Sequence, residues 1–297
     1  MSTLLSFFEP GFLLHNALWG SIAVGVFCPL IGVYFMLRRM TLLGVALPQI
    51  SAAGNAFAFF LEGLGLGWSL HPGEVNDRFL ALLGSFLFSF IALAILAWLE
   101  RRREGSTESR IGAAYALAFA ASILLVATNA SGKIEMLNML HGEIVSVSSQ
   151  DLHLLLGAYA ILTLVLVLFN RQFLSISYDR DAAQVLGRRV VAWDLMLYAV
   201  MGVAISMGVL IVGPMLTFAF LIIPPLAARR FCKRMTPFFW LSALFGGLSG
   251  LIGFFLSYQL DWPLGPTDIA VSFGLLVLSV GSKKIFSFRV ARSTQIR

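Results

Sequence analysis

The sequence predicts an all-α integral membrane protein, a polytopic helical bundle of about nine (eight or nine) transmembrane helices. Of its 297 residues, 59% are hydrophobic and only 12% are charged, whereas soluble domains carry about a quarter charged residues. Apolar stretches long enough for a helix of roughly 20 residues, the length that crosses a bilayer, recur along the chain. Lys and Arg cluster between these stretches. A water-soluble enzyme is therefore excluded.

Nine apolar stretches are predicted to form the spans. The first is too long to be the apolar part of a signal peptide, so we expect it to be retained. The weakest is 214–228, which is short and contains Pro214, Pro224 and Pro225. A broken or re-entrant helix is the alternative there, tolerated only where protein or a water-filled cavity covers the backbone. The nine stretches are 12–37, 41–61, 79–99, 111–128, 152–170, 191–212, 214–228, 237–257 and 268–282.

The positive charges predict the orientation of the chain. When the loops are assigned to alternate sides, all of the 21 Lys and Arg residues except Arg78 and Lys133 fall on one side. The positive-inside rule puts this side in the cytoplasm, together with the C-terminus, and puts the N-terminus outside. Because Arg189 and Arg229 both belong inside, the 39 residues between them must cross twice and turn near Gly213.

Acidic residues favour the opposite side. A negative outer mouth would raise the local concentration of cations. The alternative is that acidic residues occupy positions from which Lys and Arg are excluded, and the sequence does not decide between the two. The outer acidic residues are predicted to be Glu9, Glu62, Glu74, Asp77, Glu135, Glu143, Asp151, Asp261 and Asp268.

The chain is predicted to be a single transmembrane domain over residues 1–297, because no loop is long enough to bury a core of its own. It has no G-x-x-x-x-G-K-[ST] phosphate loop, so any ATP must bind to another chain. Cys28 and Cys232 are far apart and predict neither a disulfide nor a zinc site. The net charge of +6 follows from orientation signals rather than from a nucleic-acid surface.

The segment 177–187 is predicted to form a short amphipathic helix between the fifth and sixth spans. Asp179 and Asp181 suit its N-terminal end, where the helix dipole favours negative charge. Gly187 suits the C-terminal stop. A helix lying on the lipid surface is the alternative.

This segment resembles the Phe-Asp-Pro-Glu-x-Ala-x-x-x-Gly pattern in permeases of the zinc, manganese and iron uptake class of ATP-binding-cassette importers. The resemblance extends to residues 32–44, which contain the Arg-Arg pair after the first span, to 212–229 and to 261–266. In that family the segment is the coupling helix that docks into the ATPase, here about 178–187. The matching residues are Tyr178, Asp179, Asp181, Ala183, Leu186 and Gly187.

The resemblance implies a type II ABC importer-like fold and a role as the permease subunit rather than as an enzyme. It implies a cytoplasmic ATPase subunit and an extracytoplasmic solute-binding protein as partners, and a homodimer in the bacterial cytoplasmic (inner) membrane. No cofactor would bind directly, since ATP belongs to the partner subunit. The implied cargo is a divalent transition metal, zinc or manganese.

The metal site of that family does not carry over onto this sequence. The family's Asp and His ligands correspond here to Val45 and Gln49. Valine cannot bind a metal, and an amide oxygen is a poor ligand for zinc, so the metal ligands are unknown. The polar residues predicted to line the substrate path are Gln49, Ser51 and Asn55, with Asn129, Ser206 and Thr217 as further polar groups and His141 and Glu143 as an outer cation site or ordinary loop residues.

Prolines and one glycine are candidate hinges in the helices. The predicted hinge residues are Pro48, Gly213, Pro214, Pro224 and Pro225. Two alternatives stay open. The cargo of the same architecture could be a metal chelate or a non-metal solute, or the chain could be an ion-coupled secondary carrier. The scarcity of buried ionisable residues is evidence against the carrier.

Overall fold

A computed structural model describes residues 14–63, 74–101, 106–128, 147–187 and 189–294. Throughout these ranges the regular structure is α-helical, and the described residues form eleven helices. They are α1 (His15–Leu37), α2 (Thr41–Gly63), α3 (Glu74–Arg101), α4 (Thr107–Thr128), α5 (Ser149–Leu168), α6 (Asn170–Tyr178), α7 (Arg180–Val185), α8 (Val190–Val212), α9 (Pro214–Ala228), α10 (Met235–Leu260) and α11 (Leu264–Thr294).

Each of the nine predicted apolar stretches coincides with one of these helices. The all-α bundle is therefore confirmed, while the number of crossings stays a prediction. The apolar helix Pro214–Ala228 is shorter than a span, and α3, with 28 residues, contains the apolar stretch Leu80–Leu96. Seven are long and apolar enough to cross a membrane: His15–Leu37, Thr41–Leu61, Glu108–Thr128, Ser149–Leu168, Val190–Val212, Met235–Leu260 and Leu264–Gly281.

Helices α1 and α2 organise the bundle. Helix α1 packs against α9 and α10, which in turn pack against α11. Helix α2 packs against α3 and α4, and α8 contacts both α1 and α2. Both α1 and α2 are largely buried within the single chain, whereas most of α4 and α5 is exposed. The exposed faces of α4 and α5 are apolar and suit contact with lipid.

Small residues allow the central helices to approach closely. A Cβ atom on Gly25 of α1 would lie 2.6 Å from the carbonyl oxygen of Gly246 in α10. A Cβ on Gly54 of α2 would lie 2.5 Å from the carbonyl oxygen of Gly84 in α3. Since real Cβ atoms do not come this close, only glycine fits these contacts. Close backbone approach through small residues is the main source of helix association in lipid.

A buried carboxylate joins α1 to α11. Ser21 Oγ donates a hydrogen bond of 2.6 Å to Asp268 Oδ2, and the Asp268 side chain packs against Gly253 of α10. Asp268 is fully buried. The expectation that it contributes charge to an outer mouth is therefore wrong, because α11 begins at Leu264 and turns this residue into the bundle instead of leaving it before the helix.

The boundary between α8 and α9 falls where the sequence predicted a turn. Gly213 ends α8 with φ 83°, a backbone conformation that glycine adopts without steric cost. Pro214 follows as the first residue of α9, where its missing N–H needs no partner. Thr217 Oγ1 donates to the Gly213 carbonyl at 2.8 Å, so the break keeps its backbone oxygen satisfied inside the bundle.

The close contact between α1 and α10 predicts that adding one methyl group there lowers the stability of the protein, whereas adding it at an open position does not. Gly246→Ala should destabilise the protein by about 1–3 kcal/mol because the new Cβ collides with the Gly25 carbonyl. Gly274→Ala is the matched control, since a Cβ there meets nothing within 4 Å and alanine favours a helix by about 1 kcal/mol. Thermal unfolding in detergent checks this. Equal midpoints for the two variants would disprove the close contact.

Candidate functional site

The candidate coupling segment is two short helices rather than the single predicted one. Asp179 has an extended backbone, with φ −148° and ψ 101°, and separates α6 from α7. The prediction of one helix over 178–187 is wrong in this respect, because Tyr178 is the last residue of α6. The break is favoured by Asp179 itself, since an Asp side chain competes with the backbone for hydrogen bonds.

Asp179 caps α7. Its Oδ1 accepts a 2.9 Å hydrogen bond from the backbone N–H of Ala182, which is the N-cap geometry that Asp favours. Asp181 lies in the first turn of α7. At the other end Gly187 has φ 72° and its N–H donates to the Gln184 carbonyl at 3.0 Å, so the predicted helix stop is present.

Helix α7 divides into a buried side and an exposed apolar side. Ala183 is 1% exposed and faces the body of the protein. Tyr178, Val185 and Leu186 are 71%, 88% and 73% exposed. The segment also contains charged residues, which favour water. Its exposed apolar side chains are better suited to contact with a protein partner than to contact with solvent. We call Tyr178 at the end of α6, Val185 of α7 and Leu186, the C-cap of α7, together the α7 apolar surface.

Aromatic side chains attach α6 to the bundle. Phe173 is fully buried and makes edge-to-face contacts with Tyr34 of α1 and Trp193 of α8, with ring centroids 6.2 and 6.1 Å apart. Phe169 packs on Trp193 at 5.2 Å. The coupling segment is thus held directly on α1 and α8.

A buried charge cluster, which the sequence analysis missed, lies beside this segment. We call Arg38, Ser177, Arg180, Asp194 and Tyr198 the Arg38–Asp194 cluster. Arg38 Nη2 donates to Asp194 Oδ1 at 2.6 Å. Arg180 Nη2 lies 3.1 Å from Asp194 Oδ2. The available signal was Asp194 itself, an acidic residue inside a predicted apolar span, which calls for a buried cationic partner.

Arg38 uses its remaining donors on α6 and on a second residue of α8. Its Nε donates to Ser177 Oγ of α6 at 3.2 Å, and its Nη1 donates to the Tyr198 hydroxyl of α8 at 3.0 Å. The guanidinium also lies 5.1 Å from the centroid of the Tyr198 ring, within the range of a cation–π contact. One side chain at the end of α1 therefore contacts both α6 and α8.

The polar residues predicted on α2 are all buried, but they do not share one face. Ser51 and Asn55 are four residues apart and both meet Ser85 of α3. Ser85 Oγ donates to the Ser51 carbonyl at 2.8 Å and also to Asn55 Oδ1. Ser51 Oγ donates to Ser206 Oγ of α8 at 3.4 Å. This group joins α2, α3 and α8.

Gln49 lies on another side of α2. Its Nε2 donates to Ser122 Oγ of α4 at 3.2 Å. Val45, one turn before, is half-buried. At the two positions where the resembling family has a carboxylate and an imidazole, this chain therefore has an aliphatic group and an amide. The amide is already hydrogen-bonded to a neighbouring helix. Hydrogen bonds of this kind also hold membrane helices together without any ligand.

Several predicted residues have no such geometry. Asn129, His141 and Glu143 lie outside the described residues. Across the ranges that the structure does describe, no three His, Cys, Asp or Glu side chains come together in a way that could hold a metal ion. The candidate hinge prolines lie inside helices, Pro48 in α2 and both Pro224 and Pro225 in α9, and each removes a backbone donor from its helix.

Comparison with known proteins identifies the class to which this bundle belongs. The model of the ABC 3 transport family matches residues 12–283, which is nearly the whole chain. The chain belongs to the ABC 3 transport family. It is thus a multi-pass membrane protein of a family of transporters, and the resemblance seen in the sequence motifs is confirmed.

Named relatives in this family are similar along almost their full length. The chain is 25% identical over 266 residues to the manganese import system permease protein ScaB of Streptococcus parasanguinis, covering 90% of this chain and 89% of that one. It is 26% identical over 272 residues to the zinc transport system membrane protein TroC of Treponema pallidum, covering 90% and 88%. The solved structure of PsaBC from Streptococcus pneumoniae in complex with Fab shares its fold, with a TM-score of 0.79, 23% identity and 94% of each chain covered.

The cap of α7 generates a prediction about local stability. Asp179→Ala removes the acceptor for the Ala182 N–H and should weaken α7 by about 1 kcal/mol, which corresponds to roughly fivefold faster amide hydrogen exchange in this helix. Asp179→Asn keeps an acceptor oxygen and should exchange at close to the wild-type rate. Hydrogen-exchange mass spectrometry of α7 checks this. Equal rates in the two variants would refute the capping role.

Proposed function

We propose that this chain is the membrane-spanning permease subunit of an ATP-binding-cassette importer that takes up a divalent transition metal, manganese or zinc. The observation that carries the proposal is the exposed α7 apolar surface on a segment fixed to α1 and α8. A transporter without its own nucleotide site needs a surface of this kind to bind an ATPase and to follow its conformational change. Membership of the ABC 3 transport family supports the same role.

The proposed partner of the α7 apolar surface is a cytoplasmic ABC ATPase subunit. Tyr is enriched at protein interfaces, and the buried core of an interface is more apolar than the rest of the surface. Tyr178, Val185 and Leu186 lie on both sides of the capped turn, so an ATPase groove would contact the end of α6 and the end of α7 together. ATP would bind only to that subunit, and an extracytoplasmic solute-binding protein would deliver the cargo.

The proposed topology has nine crossings, with α9 as the short span and α3 crossing through its apolar part, Leu80–Leu96. The N-terminus lies outside and the C-terminus lies in the cytoplasm, because Lys and Arg are concentrated on one side. The membrane is the bacterial cytoplasmic (inner) membrane, and two copies of the single-domain chain pair around a central pathway. The turn at Gly213 and Pro214 and the prolines inside α2 and α9 provide the hinge positions.

The relatives support a metal cargo, since the printed names of ScaB and TroC are manganese and zinc transport proteins. A second candidate cargo rests on a specific observation. Val45 and Gln49 offer no anionic or imidazole ligand, and the Gln49 amide, whose Nε2 already donates to Ser122 Oγ, suits a hydrogen-bonding solute better than a bare ion. A metal chelate carried by the same architecture is therefore the alternative.

The docking surface predicts a loss of assembly. Val185→Asp together with Leu186→Asp places two charges on the α7 apolar surface and should abolish co-purification of the ATPase subunit, because a charge buried at an interface without a partner is costly. Membrane insertion should be unchanged. Trp262→Asp is the matched control, since Trp262 is also exposed but lies in the turn before α11, on the opposite side of the proposed topology. Full ATPase capture by the double variant would rule out this surface.

The cargo is tested by elemental analysis of washed cells. Deletion of the gene should lower cellular manganese or zinc at limiting supply, and plasmid-borne wild type should restore it, whereas a chain lacking Asp179–Gly187 should not. The metal cargo is wrong and the chelate alternative stands if two results are found together. The deletion strain accumulates both metals normally, and the ATPase subunit co-purifies with the chain from the wild-type strain. If purified chain alone drives uphill transport, the permease assignment itself fails.

A further inference from the structure

The Arg38–Asp194 cluster has no assigned role, and it connects the coupling segment to the spanning helices. We propose that Asp194 is a positioning residue for ATP-driven transport, which holds α1, α7 and α8 as one mechanical unit through Arg38 and Arg180. The inference rests on the proposed function, since it assigns the path by which a displacement of α7 reaches the spans.

The first argument is the placement of the charges. Asp194 lies on α8 with its side chain 7% exposed, and the side chain of Arg38 is 10% exposed. A buried ion pair gives little net stability compared with apolar packing, but the loss of either partner leaves an uncompensated charge. Such a pair therefore resists separation. At this site the ion pair resists separation of the end of α1 from the start of α8.

The second argument is that the coupling segment is attached to this ion pair on both sides of Asp179, from α6 and from α7. Ser177, before the extended Asp179, accepts a hydrogen bond from Arg38. Arg180, after it, pairs with Asp194. Both attachments end on the same Arg38–Asp194 pair. A displacement of α7 is thus transmitted to α1 and α8 through these polar contacts, in addition to the aromatic contacts of Phe173 on α6.

The third argument is the difference between the two arginines. Arg38 is enclosed and uses three nitrogen atoms on α6 and α8. The Arg180 side chain is 38% exposed and its approach to Asp194 Oδ2 is an ion-pair contact without hydrogen-bond alignment. Arg38 therefore fixes the pair, and Arg180 is the adjustable link between this fixed pair and α7.

The experiment uses the complete chain in complex with its ATPase subunit in proteoliposomes. Hydrogen-exchange mass spectrometry with and without trapped ATP follows the movement independently of cargo. In the wild type, ATP should change amide exchange in α6, α7, α1 and α8. In the isosteric variant Asp194→Asn the changes should be confined to α6 and α7, and radiolabelled Mn²⁺ or Zn²⁺ transported per ATP hydrolysed should fall at least tenfold.

Two pairs of variants separate positioning from folding. Arg180→Gln, at a half-exposed site, should lower the transport-to-hydrolysis ratio about threefold or more, whereas Arg189→Gln, an exposed arginine nearby, should not. Arg38→Gln should behave like Asp194→Asn, whereas the adjacent exposed Arg39→Gln should behave like wild type. Asp194→Glu, which keeps the carboxylate, should restore part of the ATP-dependent change in α1 and α8.

The outcomes are distinguishable. ATP-dependent exchange that still reaches α1 and α8 in Asp194→Asn overturns the inference and leaves the proposed function standing. If Asp194→Asn is not recovered in the membrane, equal coupling ratios for Arg180→Gln and Arg189→Gln overturn it. A wild-type chain that neither binds the ATPase subunit nor responds to ATP refutes the proposed function, and the inference fails with it.

Discussion

The close approach of small residues is the constraint on which the rest of this structure depends. Lipid solvates apolar side chains as well as a protein core does. The burial of leucines therefore contributes little free energy to the association of membrane helices. The contacts of Gly25 with Gly246 and of Gly54 with Gly84 bring backbones together at distances that no larger residue permits. Once these helices are in place, buried polar groups such as Ser21 and Asp268 can reach one another and fix the rotation of α1 against α11.

Neutral and charged polar contacts lie in different parts of the bundle. Serine, asparagine and glutamine side chains join α2 to α3, α4 and α8, and these groups are neutral. The paired charges lie instead at the ends of α1 and α8, beside the coupling segment, where Arg38 and Arg180 share Asp194. Neutral hydrogen bonds of this kind can be exchanged when helices shift, whereas a buried ion pair holds its partners together. The arrangement suits a transporter that moves as a few rigid groups.

The interior of α2 also bears on selectivity. Relatives named for manganese and zinc transport share the family and the length of this chain, yet Val45 and Gln49 leave α2 without a ligand that binds a transition metal strongly. On the proposed path along α2 the cargo would be held weakly, which would favour fast release after each opening and leave selection to the proposed binding protein. Affinity and specificity would then lie mostly outside this chain.

The sequence by itself determined the class of protein, the positions of its nine apolar helices and the break at Gly213, because these depend on composition, spacing and local backbone chemistry. It also located the stop at Gly187. Only the tertiary structure decided that Asp268 is buried, that Gln49 faces α4 while Ser51 and Asn55 face α3, and that Asp194 binds arginines 156 and 14 residues earlier in the chain. The physical reason is that a hydrophobic stretch specifies a helix but not its rotation or its neighbours. Those are set by contacts between residues far apart in sequence.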